Sequence, residues 1–581
     1  MNECRKIPVR MSVNSPWLFV LLLLGFIPES GNTQSLFPAK NYPQHYQLPL
    51  HIPFSLAGNF GECRPDHFHS GIDIRTQQIE NIPVYAIEDG FVSRVKIEAG
   101  GFGNAIYITH PGGYTSVYAH LNRFFPALEE YVRRRQYEEK SWKQDIIFMP
   151  HQFPLRQGEF IAYSGNTGSS EGPHLHLEIR DTRTEHPLNP LLFFSNTPDT
   201  KAPRFESIAL YQAGKSIYEQ DPFLISCSTQ NEKCTPKKEL IYCSDTQVFL
   251  GIAADDYMEN ALGTLGVYEM NLWVDDSLFF GWQLDDIGYD ITRYMNSMAD
   301  YSYRKKQGRW IQLCSSLPGD HLPVYADWGA RKGVIDLSDG KIHSIKITIR
   351  DVKGNSSDCR FRLKHQGKST IKPACKLAVT PQHDFHIKDE RLEIHSKTHF
   401  VYDTLCFYHR VEKNKQGETV IQILNGHIPM HETMDLSFKP FHPLQNQLKE
   451  KYYLYRMPYG KENKGKGMAV SVEKDRIHGR LREFGTYVLR NDTVAPVIQT
   501  EIRDGDSIGN CIQLDFTVNE ESTSMAGYEA SVDGQWLRLV QKGNRLSYEL
   551  DSYFPEGRHL FVLQVMDENK NKRELKLNLI K

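Results

Sequence analysis

The chain has 581 residues, with 68 Lys and Arg against 71 Asp and Glu and a formal net charge of −3. At roughly 100–200 residues per domain this length predicts about three to five domains, and the balanced charge argues against a dedicated nucleic-acid binder, which needs a basic excess to neutralise phosphates. A composition that is 40% hydrophobic and 24% charged excludes a fully disordered chain, and the 11% aromatic content suits β-structure.

In chain order, residues 17–27 read WLFVLLLLGFI and follow Arg5, Lys6 and Arg10. A spanning helix needs about 20 apolar residues, so a short apolar core behind basic residues predicts a secretory signal peptide over 1–35, cleaved between Ser30 and Ser35. An uncleaved anchor is the alternative. No Cys follows the apolar core until Cys63, which argues against a lipid anchor. The mature chain is expected to be exported, periplasmic or extracellular, without a membrane span.

Residues 36–196 carry strand-length apolar runs at 84–87, 91–97, 105–109, 115–119, 159–163 and 175–179, separated by glycine-containing turns. One segment breaks the rhythm. FFPALEEYVRRRQYEEKSW (124–142) has apolar residues at 124, 128, 131 and 132, which is helical spacing with a charged opposite face.

After Pro198 an internal repeat appears. Asp199-Thr-Lys-Ala-Pro203 matches Asp492-Thr-Val-Ala-Pro496, and GKIHSIKITIRDVKGNSSDCRFRL from Gly340 matches GRHLFVLQVMDENKNKRELKLNL from Gly557. The spacing from His343 to Asp351 equals that from His559 to Asp567. The repeat predicts a β-hairpin closing a sandwich, used twice. The domains are therefore expected at 36–196, at 197–368 (a sandwich with an insertion within 252–335), at 369–493 (β-rich) and at 494–581 (an immunoglobulin-like sandwich). The fold class is mainly β.

Cys4 lies in the predicted signal, leaving nine Cys without a CxxC pair. That spacing excludes a zinc ribbon, and the odd number leaves at least one thiol free or paired between chains. Cys227, Cys234 and Cys243 are near enough in sequence for one local disulfide, with the pairing open.

The chemistry sits in His69-Ser-Gly-Ile-Asp73, Tyr118-Ala-His120-Leu121 and His174-Leu-His176-Leu-Glu178. Alternate residues of a strand share a face, so His174 and His176 point into one site, about 7 Å apart along the backbone. Two imidazoles and one carboxylate with a fourth position open is the composition of a catalytic zinc site. Each fragment alone is weak. Their order and glycine-rich context together are specific.

These residues, with FGECRPDHFHSGIDI (60–74), PVYAIEDGFVSRV (83–95), YAHL (118–121), GEFIAYSGNTGSSEGPHLHLEIR (158–180) and Asn189-Pro190, resemble the lysostaphin-type zinc metallopeptidases, which cut peptides of bacterial peptidoglycan. The resemblance covers about 60–190. It implies a small antiparallel β-domain with a groove over the metal, one Zn²⁺ held by His69, Asp73 and His176, and His120 and His174 as the unbound pair handling the water and the oxyanion. Which of the two is the base stays open. Two departures stand out. Residues 122–157 intervene after the YAHL strand, expected either to narrow or cap the groove or to be a surface elaboration. Cys63 is either an inhibitory fourth ligand or a packed thiol. The expected activity is a secreted zinc endopeptidase acting on peptidoglycan peptides. The alternatives are a non-catalytic scaffold that activates another murein hydrolase, or a wall-binding or adhesion protein whose sandwiches contact glycan or a protein partner. The histidines at 383–386 and 395–399 read as ordinary strand and loop residues.

Overall fold

Alternation writes the central strand of the first domain directly: in HLHLEIRD, Leu175, Leu177 and Ile179 are fully buried in one core, and His174, His176, Glu178 and Arg180 take the opposite face. The computed structural model describes residues 37–581 apart from 39, 231–232, 329 and 369–374, so the expected signal peptide lies outside the described residues. The fold is mainly β.

The first domain is built on an antiparallel sheet of β1 (Leu56–Gly58), β2 (Ile72–Arg75), β3 (Gly90–Ile97), β4 (Asn104–Thr109), β5 (Tyr114–Ala119), β6 (Gln144–Ile147) and β7 (His174–Asp181). Their spatial order is β1-β2-β7-β5-β4-β3-β6. The neighbours of β7 fix the site. His176 lies opposite Asp73 of β2 on one side and Ala119 of β5 on the other. A shift by one residue would send both histidines of β7 into the apolar core, so burial of its leucines fixes the register. The helix expected within 124–142 is present as α1 (Pro126–Glu138), starting at a proline and burying Leu128 and Val132.

Residues 204–365 form a 12-stranded sheet system that includes the hairpin β8 (Ile342–Arg350) and β9 (Ser356–His365). Two five-stranded sheets and a short two-stranded ladder follow within 378–491. Residues 497–580 form two four-stranded sheets that enclose one core and close with the hairpin β10 (Arg558–Asp567) and β11 (Lys572–Ile580). The repeated hairpin carries the same polar fastening twice. His343 meets Asp275 at 2.7 Å, and His559 meets Asp533 at 2.6 Å. Asp275 sits in the turn between Glu269–Val274 and Ser277–Gln283, which pair with each other and, through Glu269–Val274, with β8. Met525–Val532 pairs with β10 in the same way. The hairpin at 269–283 thus has a counterpart in the second copy, and the extra residues of the first copy lie on both sides of it: three strands within 223–243 before it, and the helices Met295–Met298 and Tyr301–Gln307 after it.

Cys375 and Cys406 form a disulfide. The sulfurs of Cys227 and Cys234 lie with that of Cys359 from β9, within 4.8 Å of one another; Cys243, grouped with the first two by sequence proximity, is elsewhere on its own strand. β9 brings in a thiol more than a hundred residues away, which spacing along the chain does not reveal. Cys63 is a buried thiol whose pKa burial pushes up to about 12, and it packs with Phe60 and Phe68 into the core of the 204–365 region. Among the described residues it belongs to no metal-binding group.

Candidate active site

His69 stands on the loop before β2, Asp73 on β2, His176 on β7, and His120 follows the last residue of β5. Gly71 lets that first loop lie against β7: a Cβ there would come within 2.3 Å of the Leu177 carbonyl oxygen. His120 adopts φ +61°, in the left-handed region sparsely occupied by residues other than glycine. The turn swings its ring from the end of β5 over the face of β7, 4.8 Å from the His174 ring and 5.8 Å from the His176 ring, centre to centre.

Three atoms meet at one point. His69 Nε2 is 3.1 Å from Asp73 Oδ1 and 3.2 Å from His176 Nδ1, and His176 Nδ1 is 2.9 Å from Asp73 Oδ1. The far nitrogens settle what these atoms are. His69 Nδ1 lies 2.8 Å from the Asn59 carbonyl oxygen and must donate to it, which leaves Nε2 as a lone pair. His176 Nε2 lies 3.2 Å from Glu178 Oε1 and donates there, which leaves Nδ1 as a lone pair. Two lone pairs and a carboxylate facing one another at about 3 Å repel unless a proton or a cation sits among them. Tetrahedral zinc with bonds of about 2.0–2.1 Å spaces its ligand atoms by roughly 3.3 Å, so the triangle fits one face of such a centre.

The electrostatics agree. Burial alone would raise the Asp73 carboxyl, but the close imidazoles of His69, His174 and His176 outweigh it and hold it well below the usual range. Burial lowers His176, but the hydrogen bonds and charges of Asp73 and Glu178 outweigh it and carry it up to about 9, so a proton fills the centre when no metal does. Burial, then the charges of His176 and His174, push His120 down to about 3; its Nδ1 donates to the Thr167 carbonyl at 2.9 Å, so at neutral pH its Nε2 is a free base. His174 Nδ1 donates to the Gly172 carbonyl at 2.8 Å.

A second ring of residues, of which the sequence offered only Glu178, fixes these rings. Glu178 is fully buried, accepts from Ser70 Oγ and Tyr289 OH at 2.5 Å each, and is paired with Arg180 at 2.6 Å. Burial raises its carboxyl, but the Arg180 charge and the His176 hydrogen bond outweigh it and hold it at about 2. Asn59, whose carbonyl orients His69, exchanges two 2.7 Å hydrogen bonds with the Gly266 backbone. Tyr289 and Gly266 belong to the region after Pro198. Alternation along β7 pointed to Glu178; nothing local to Tyr289 or Gly266 marks them.

The site opens into a groove of about 1170 Å³ that includes Arg64, Arg75, Phe102, His120, Glu171 and His174. The 122–157 insertion contributes nothing to that groove's lining. Its helix faces the C-terminal sandwich instead: Tyr137 stacks on Tyr553 with ring centres 3.4 Å apart and donates to Asp551 at 3.0 Å, and Arg123 pairs with Glu549. Of the two roles expected for it, the groove's lining favours surface elaboration over narrowing or capping the groove. The histidines at 383–386 and 395–399 belong to no cluster of three metal-binding side chains among the described residues.

Residues 67–137 match peptidase family M23, and residues 376–492 match the Zu5-like domain. The chain is 35% identical over 131 residues to the DD-carboxypeptidase/endopeptidase Mpg of Neisseria meningitidis, a match covering 22% of this chain and 24% of that protein. It is 32% identical over 167 residues to an uncharacterized metalloprotease of Haemophilus influenzae, covering 28% of this chain and 29% of the other. The matches thus span about a quarter of the length of these relatives. Among solved structures, the catalytic domain of lysostaphin from Staphylococcus simulans is 22% identical, covering 24% of this chain and 91% of that one, with a TM-score of 0.18. The family model and the curated relatives identify the N-terminal region of this chain as a domain of peptidase family M23, the lysostaphin-type metallopeptidases.

Proposed function

We propose that the chain is an exported zinc endopeptidase that hydrolyses peptide bonds of bacterial peptidoglycan. The observation that carries this reading is the convergence of His69 Nε2, Asp73 Oδ1 and His176 Nδ1 at the floor of an open groove, with two further imidazoles beside them and not among them. Those three atoms would hold one zinc ion. Bound there, zinc supplies a Lewis acid that acidifies a water and polarises a carbonyl.

The chain's own residues do the rest. His120, kept neutral by burial and by its imidazole neighbours, offers Nε2 as the base that takes a proton from water and passes it to the leaving amine nitrogen. His174, whose Nδ1 is committed to Gly172, donates through Nε2 once it carries a second proton; it is the group fitted to meet the developing oxyanion, a role worth roughly 3 kcal/mol for a single donor. Arg64 and Arg75 along the groove suit a substrate that carries carboxylates, as wall peptides do.

The test is incubation of the zinc-loaded chain, residues 36–581, with defined cross-linked muropeptides and identification of the products by mass. New amine and carboxyl termini from one amide bond are expected. A folded protein with one zinc per chain that leaves every muropeptide intact would overturn the reading.

A further inference from the structure

The repeated hairpins each close a group of three carboxylates at one end of their sandwich: Asp199, Asp256 and Asp351 in the first, Asp492, Glu520 and Asp567 in the second. In each group one oxygen per residue lies within 4.8 Å of the others. The scaffolding is the same in both. Asp351 accepts from Asn355 N and Nδ2 at 2.9 and 2.6 Å, and Asp567 from Asn571 N and Nδ2 at 2.8 Å each. Asn355 Nδ2 also reaches the Asp199 carbonyl at 3.3 Å, and Asn571 Nδ2 the Asp492 carbonyl at 3.2 Å.

The charge is compensated only in part, because the nearest ammonium of each group is committed elsewhere. Lys353 donates to the carbonyls of Phe194 and Ser195, and Lys451 to Asn569 O and Asn571 Oδ1. Neither ammonium forms an ion pair with the trio beside it among the described residues. Asp256, 3% exposed, keeps Oδ1 without any hydrogen-bond partner, and Asp492, 2% exposed, keeps Oδ2 in the same state. Three carboxylates so close, two of them buried in each group, are costly unless a cation joins them. Two copies with one geometry, far apart in the chain, make coincidence a poor account.

We propose that each trio is a calcium site. The donors are all oxygen, which selects a hard cation over zinc, and three carboxylates that can each bind through one or both oxygens suit the large, irregular shell of Ca²⁺ better than the strict octahedron of Mg²⁺. Asp199 and Asp492 lie on the segments that lead into the two sandwiches, so each ion ties a linker to the hairpin that ends the same sandwich.

The experiment uses the full zinc-loaded chain in calcium-free buffer, titrated with Ca²⁺ by calorimetry and followed by thermal midpoint. Two equivalents are expected, with affinities in the range of about 10⁻⁴–10⁻³ M typical of extracellular modules, and a midpoint that rises with Ca²⁺. Asp256→Asn is expected to lose one equivalent, Glu520→Gln the other, and His176→Ala neither. Absence of binding by the unaltered chain up to about 10 mM, ten times the weak end of that range, would overturn the proposal without any variant. Retention of both equivalents in the double variant, or an equal response to Mg²⁺, would do so as well.

Discussion

His120 carries most of the proton chemistry proposed for the groove, and its low pKa makes it separable from the metal ligands. Replacing it by alanine is expected to leave one zinc bound and to lower turnover at least about a hundredfold, the lower end of what a positioned acid–base group contributes. His176→Ala is expected to lose metal and rate together. Metal analysis and turnover on the same samples distinguish the two. The same pKa gives a stability prediction. Unfolded, the imidazole takes up its proton below about 6.5; folded, not until about 3. The unfolded state therefore binds more protons between these values, so stability is full above 6.5 and falls as pH drops towards 3. Between pH 6.5 and 5 this group removes about 2 kcal/mol from the metal-free protein. Metal-free His120→Ala should lose correspondingly less stability over that interval; equal losses in denaturant titrations would show that His120 does not stay neutral. Tyr289→Phe removes only the hydroxyl that donates to Glu178. Loss of such a partner weakens metal binding by roughly 10–100-fold, and zinc competition with a chelator reads it out.

At the scale of elements, β7 was legible because its alternation is unbroken: apolar residues pack into the core on one face and titratable residues line the other. Helix α1 was legible in its spacing and not in its destination. Its apolar stripe shows that one face is buried, but the partner of the other face is chosen by the domain 400 residues later that supplies Tyr553 and Asp551. Tyr137→Phe deletes a hydrogen bond to a carboxylate, a contribution of about 1.5–3 kcal/mol. The C-terminal sandwich is expected to detach more readily, seen as a larger radius in solution scattering or as faster proteolysis near 494, while turnover stays near that of the unaltered chain. A change in turnover with no change in docking would return the helix to the groove.

Across the whole molecule, the M23 domain does not finish its own site. Phe60 and Phe68, each 1% exposed, pack into the core shared with the 204–365 region, and Gly266, Tyr289 and Thr292 fasten Asn59, Glu178 and the Phe68 backbone. Ending the chain at residue 196 would expose both phenylalanines, at about 1.5–3 kcal/mol each, and would free the residues that orient His69 and His176. That fragment is expected to bind zinc more weakly and to melt lower than a chain ending at 493, by calorimetry and metal competition. The insertion and the stretch from Gly266 to Thr292, which look peripheral in the sequence, are thus parts through which the other domains hold the M23 domain.

The sequence by itself determined the mainly β class and the repeated hairpin, because strand periodicity and short-range motifs are local and survive without a partner, and its resemblance to the lysostaphin-type peptidases singled out the five residues of the groove. Only the tertiary structure decided that His69, Asp73 and His176 turn lone pairs toward one point, that Asn59, Glu178 and Tyr289 aim them, and that Asp256 and Glu520 join the repeat's aspartates. Those relations depend on which strands become neighbours and on side chains brought together across a hundred residues or more. Burial of the whole core fixes such pairings, and no stretch of sequence contains them.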